Sequence, residues 1–180
     1  QRESFNNVIH DLDKNTMKID LIRDEILKGF SFNIKKNLKL KIIHISNFGN
    51  RQANRLYNIS IAKKITNGLI RNGHDVINIS DRDVVRLNSG IKSFKKGSDF
   101  LNNLLLETID NYRPDLMILG HVNNLQEKTL EISKKRYQNL KISQWFEDNL
   151  SKNGPDPITN KNNFLKYINY IDHSFVTSDP

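Results

Sequence analysis

The chain of 180 residues contains no cysteine, only four prolines and a single tryptophan. Without thiols there are neither disulfides nor thiolate metal sites. The five histidines, His10, His44, His74, His121 and His173, are too scattered to show metal-ligand spacing. No apolar run approaches the roughly 18 residues that a membrane-spanning helix needs. No early stretch has the charged-then-apolar pattern of a secretory signal. These absences lead us to expect a cytoplasmic protein. Glycine is sparse where nucleotide fingerprints need it. No strand is followed by the three glycines of a dinucleotide loop, and no glycine-lysine-serine/threonine sequence opens a helix. No serine sits in a nucleophile elbow, and no basic helix or helix-turn-helix signal points to nucleic acid.

Charge is present in excess of one sign. The 28 Lys and Arg against 20 Asp and Glu give a formal +8, which attracts phosphate-bearing partners or an anionic membrane surface. Most lysines are dispersed, as on solvated helix faces, and only Lys92 to Lys96 form a basic stretch.

Apolar periodicity divides the chain in two. Over residues 1–37, Phe5, Val8, Ile9, Leu12, Ile19, Ile22, Ile26 and Phe30 recur at helical spacing and predict a helical extension. From residue 38 the pattern alternates between strands and helices. Strands are expected over Leu38–Ser46, His74–Ser80, Asp115–Gly120, Lys141–Phe146 and His173–Ser178. Between them lie a helical stripe from Leu56 to Leu69 closed by Asn72-Gly73, a helix capped by Ser98 and stopped by Pro114, a helix over about 125–137, and one over 164–171. Asp81 to Gly97 is expected to be a long polar connection. Strands separated by single helices must run parallel with right-handed crossovers. The expected fold is therefore α/β: a Rossmann-like parallel sheet with helices on both faces, spanning residues 38–180.

In such a sheet ligands bind beyond the carboxyl ends of the strands. The loop Asn47-Phe48-Gly49-Asn50-Arg51 opens a helix, where backbone N–H groups and the helix dipole suit phosphate; its bland alternative is a polar turn. His121, followed by Asn123, ends the third strand, and histidine is the side chain best suited to take a proton from a hydroxyl. The fourth strand ends in Trp145-Phe146-Glu147-Asp148. Alternation puts Trp145 and Glu147 on one face and Phe146 and Asp148 on the other. Either carboxylate can accept a proton or a hydroxyl, whereas the bland alternative makes Trp145 core and Asp148 part of a turn. His44, inside the first strand, is expected to be a packed, satisfied side chain.

Leu69-Ile70-Arg71-Asn72-Gly73-His74-Asp75-Val76 after a strand ending in Asn47-Phe48-Gly49 resembles the opening of a GT-B glycosyltransferase. Tyr112-Arg113-Pro114-Asp115-Leu116, Gln144-Trp145-Phe146-Glu147-Asp148 and the closing Tyr170-Ile171-Asp172-His173-Ser174-Phe175-Val176-Thr177-Ser178 are similar to the CgeB-like, spore-maturation-type group of those enzymes. The resemblance covers about residues 39–180. It implies the acceptor-side half of a two-domain enzyme, cut before its donor domain, which joins it in cis. A nucleotide-sugar would be the donor, a glycan or other hydroxyl compound the acceptor, and no metal or other cofactor is implied. His121 and Asp148 would be the catalytic groups. Asn47, Phe48, Gly49, Asn50, Arg51, Asn123 and Glu147 would bind donor or acceptor. Two other readings stay open. One is a non-catalytic interaction module in which Lys92 to Lys96 dock a partner or a peripheral membrane surface. The other is a nicotinamide dehydrogenase with Asp81 as the ribose-binding acid.

Overall fold

The computed structural model describes residues 39–49, 60–89 and 93–177. The expected helical extension over 1–37 lies outside them, as do Asn50, Arg51, Leu56, Ile59, Lys92 and Ser178. The elements are β1 (Lys41–Ser46), α1 (Ile61–Arg71), β2 (Asp75–Ser80), α2 (Asp81–Asn88), α3 (Phe94–Tyr112), β3 (Leu116–Leu119), α4 (Glu127–Arg136), β4 (Lys141–Phe146), α5 (Pro157–Leu165), a 3-10 turn (Ile168–Tyr170) and β5 (His173–Val176). The strands form one sheet in the order β2-β1-β3-β4-β5, and every neighbouring pair is parallel. This is the expected Rossmann-like α/β arrangement.

Central position explains the composition of β1. Ile42, Ile43, His44, Ile45 and Ser46 are all buried, as a strand covered on both faces requires. On one face, Ile43, Ile45, Met117, Leu119 and Ile142 pack against Val85 of α2, Leu101, Leu105 and Ile109 of α3, and Leu130 of α4. On the other, His44 hydrogen-bonds Thr66 of α1. Helices thus cover both faces, and α1 holds the second face over β1 and β2.

Ser60 caps α1 by accepting from the Lys63 N–H at 3.3 Å. Gly73, in the left-handed region at φ 86°, turns the chain into β2. Carboxylates pin the entering ends of two strands: Asp115 accepts from Lys41 N–H at 2.8 Å, and Asp172 from Ile142 N–H at 2.7 Å while pairing with Lys134.

Four boundaries differ from expectation. The helix expected from Leu56 starts at Ile61, behind its Ser60 cap. The segment 81–97 is not a plain connection: it holds α2 and the first turn of α3. The buried side of α2 is Asp81, Asp83 and Val85, so two polar residues conceal its apolar period. Helix α3 starts five residues early, with Ser93 as its cap, accepting from Lys96 N–H. Ser98 instead donates to the Asn124 carbonyl at 3.0 Å. Gly97 resembles a helix breaker in the sequence but sits where α3 crosses α2; a Cβ there would lie 2.3 Å from the Val85 carbonyl oxygen. The last helix, expected over 164–171, is α5 with Pro157 in its first turn, followed by the 3-10 turn.

Candidate functional site

Strand order reverses between β1 and β3, and the crevice outside the carboxyl ends of such strands is where open α/β sheets bind ligands. The rim there is built from Asn47–Gly49, Asp81, Gly120–Asn124 and Glu147–Asp148. Because Leu119 pairs in register with Gln144, His121 emerges beside the end of β4. Its Nε2 lies 3.2 Å from Glu147 Oε1 and its Nδ1 lies 3.7 Å from Asp148 Oδ2. The ring stacks on Phe146 at 5.6 Å and meets Trp145 edge-on at 5.6 Å. His121 Nε2 and Glu147 Oε2 are buried without an aligned hydrogen-bond partner. The sequence offered His121, Glu147 and Asp148 as separate candidates; the fold brings them together.

Trp145 is held from behind. Its indole N–H donates to His44 Nε2 at 3.1 Å. An indole can only donate, so His44 carries its proton on Nδ1, which lies 2.9 Å from Thr66 Oγ1. Thr66 in turn donates to Asn78 Oδ1 at 2.9 Å. Burial lowers the His44 pKa to about 4, in keeping with a neutral imidazole. His44 is therefore packed and satisfied, as expected, and Trp145 is anchored by this chain of bonds. Gly120 makes room for the indole: a Cβ there would lie 2.5 Å from the ring and 2.4 Å from Ser46 Oγ.

A second buried group fixes the loop that carries His121. Asp81 is fully buried. Its Oδ2 accepts from Asn123 N–H at 3.1 Å and from the Asn124 amide at 3.0 Å, while Oδ1 has no partner. Burial raises its pKa, opposed by hydrogen bonds from Asn123, Arg82 and Asn124 and by the Arg82 charge. A carboxylate so enclosed holds the protein's own backbone and is not presented to a ribose. Asn123 is likewise engaged. Its carbonyl accepts from Lys166 at 2.8 Å, and its side-chain amide oxygen accepts from Arg82 at 3.0 Å. Arg82, His121, Asn123, Asp148 and Asn163 contribute to a polar cavity of about 120 Å³.

Of the first-loop residues, Asn47 is half-buried and Phe48 is buried, its ring edge-on to His44 at 5.2 Å and its N–H donating to Ser80. Gly49 adopts φ 64°, a left-handed conformation natural to glycine. Among the described residues no cluster of three or more metal-ligating side chains occurs, and no helix is long and apolar enough to cross a membrane. No protein-family model and no curated protein matches this sequence.

Proposed function

We propose that this chain is the acceptor-side half of a GT-B, CgeB-like glycosyltransferase, transferring sugar from a nucleotide donor to a hydroxyl. The observation that carries this reading is His121 set between Glu147 and Asp148 at the carboxyl rim of the sheet. A base there needs a third group to orient it and to stabilise the proton taken up. Asp148 Oδ2 lies 3.7 Å from Nδ1 and Glu147 Oε1 lies 3.2 Å from Nε2, so the two carboxylates would stabilise the proton that the ring takes up. The acceptor oxygen forms its bond to the anomeric carbon as its proton passes to His121. The anomeric carbon–oxygen bond to the donor breaks, and its electron pair leaves with the nucleoside diphosphate. Asn47 and Gly49 would bind the donor phosphates, together with Asn50 and Arg51, which lie outside the described residues. The full-length native protein, incubated with a panel of nucleoside-diphosphate sugars and hydroxyl compounds, should release nucleoside diphosphate in an acceptor-stimulated manner. Absence of release from every donor would refute the reading.

A second reading, a docking module without catalysis, is favoured by one observation. Phe94 is 64% exposed at the start of α3 beside exposed Lys95 and Lys96, and an apolar ring flanked by cations suits an anionic membrane surface. Salt-sensitive co-sedimentation with phosphatidylserine vesicles, lost in Phe94→Ala, would support it. Equal sedimentation with neutral vesicles would refute it.

A further inference from the structure

The polar cavity beside His121 contains a cation with no carboxylate in contact. Arg82, the second residue of α2, is half-buried and lines this cavity. Among the described residues it forms no ion pair. Its guanidinium meets a neutral partner instead, donating to the Asn123 side-chain oxygen at 3.0 Å. One amide oxygen takes only part of a guanidinium's donors. Asp81 opposes the Arg82 charge through space, but its Oδ2 is engaged by Asn123 and Asn124, and burial disfavours its charged form.

Asn123 works as a bracket. Its N–H donates to Asp81 and its carbonyl accepts from Lys166 at 2.8 Å, so the oxygen that holds Arg82 is itself fixed. Arg82 is therefore placed in the wall before any ligand arrives, which lowers the ordering cost of binding. Lys166 brings a second positive charge to the same loop, and it too forms no ion pair among the described residues.

Asp148 faces the same cavity, with Oδ2 3.7 Å from His121 Nδ1. Opposite charges thus line one small space without pairing with each other. An occupant that suits both carries an oxyanion for Arg82 and a hydrogen-bond donor for Asp148. The volume of about 120 Å³ falls below the roughly 300 Å³ at which a site encloses a whole small molecule. By liquid volume it equals about four waters, enough for one carboxylate or phosphate group and its nearest atoms.

We propose that Arg82 receives an oxyanion, a carboxylate or a phosphate monoester, borne by the acceptor within a few bonds of the hydroxyl that His121 and Asp148 face. The hydroxyl rests on the sugar-transfer reading, whereas the oxyanion rests on the cavity alone. The acceptor is then an anionic hydroxyl compound and not a neutral glycan.

Trp145 is the only tryptophan in the chain and lines the cavity, so its emission reports occupancy without a label. The full chain, with no nucleotide-sugar present and at constant ionic strength, is titrated with glycerol 3-phosphate, glycerate and glycerol. At least one anion should shift the emission saturably, and the tighter of the two tells phosphate from carboxylate. Glycerol should bind at least about tenfold more weakly than that anion, as loss of a hydrogen bond to a charged group implies. Arg82→Gln, which can still donate to Asn123, should weaken the anion at least about tenfold, with far-UV circular dichroism unchanged. Arg71→Gln makes the same change at the exposed last turn of α1 and should alter the affinity by less than about twofold, because screening confines a surface charge to its neighbourhood. No saturable shift with either anion, equal binding of glycerol, or equal effects of the two substitutions would overturn the proposal. Displacement of the anion by uridine diphosphate would assign the site to the donor and overturn it as well. Anion binding that depends on Arg82, without nucleoside diphosphate release from any donor, would sink the transfer reading and leave the oxyanion site standing. Release with glycerol as fast as with either anion would do the reverse.

Discussion

Replacing His44 by glutamine should remove a specific part of the protein's acid sensitivity. His44 is fully buried, and burial lowers its pKa to about 4 from 6.5. In the unfolded chain the imidazole protonates as pH falls through 6.5, while the folded protein resists protonation until about pH 4. The folded pKa is depressed, so the stabilisation is complete above 6.5 and is lost as pH falls toward 4. A difference of about 2.5 units corresponds to about 3 kcal/mol. Glutamine can accept from Trp145 but has no charge to gain. At neutral pH the variant should be about 1–2 kcal/mol less stable, from imperfect replacement of two buried hydrogen bonds. Urea unfolding followed by Trp145 fluorescence would measure both proteins between about pH 7 and pH 4. The wild type should lose about 3 kcal/mol more than His44→Gln over that window. Acidic groups common to both proteins cancel in the difference. Parallel curves would show that His44 is not held neutral by burial.

Asp81→Ala would leave Asn123 N–H and the Asn124 amide without their acceptor and should cost about 1–3 kcal/mol, with faster hydrogen exchange at Asn123; Asp81→Asn, which keeps the acceptor and removes the buried charge, should cost less. An Asp81→Ala protein as stable as the wild type would contradict this account of the loop. Gly120→Ala forces a methyl group to within 2.5 Å of the Trp145 ring and should cost about 1–3 kcal/mol, with red-shifted Trp145 emission as the indole leaves His44. Gly97→Ala should be comparably costly, because the obstacle at 2.3 Å is the Val85 backbone rather than a movable side chain; thermal unfolding reads both.

Parallel strands were legible because β1 and β3 carry short apolar runs and each strand is set between helical stripes, and that spacing leaves few topologies open. Helix α2 was not legible. Its buried positions include Asp81 and Asp83, whose partners, Asn123, Asn124 and Ser80, include residues more than forty positions away. Two glycines have causes that only the fold shows. Gly97 is explained by a crossing helix and Gly120 by an indole, and neither neighbour can be inferred from adjacent residues. At the site, each of His121, Glu147 and Asp148 stood out for ending a strand, but their convergence depends on β3 and β4 being adjacent. The bond between Trp145 and His44 joins residues 101 positions apart, and only the fold shows that this tryptophan is braced from beneath.

The role given to His121 and Asp148 is tested most directly by replacing both with alanine in the full-length protein and measuring acceptor-stimulated release of nucleoside diphosphate. Loss of a positioned base should lower turnover about 100- to 10,000-fold, with the fold intact because both side chains lie partly exposed at the rim. Turnover equal to that of the wild type would contradict the assignment.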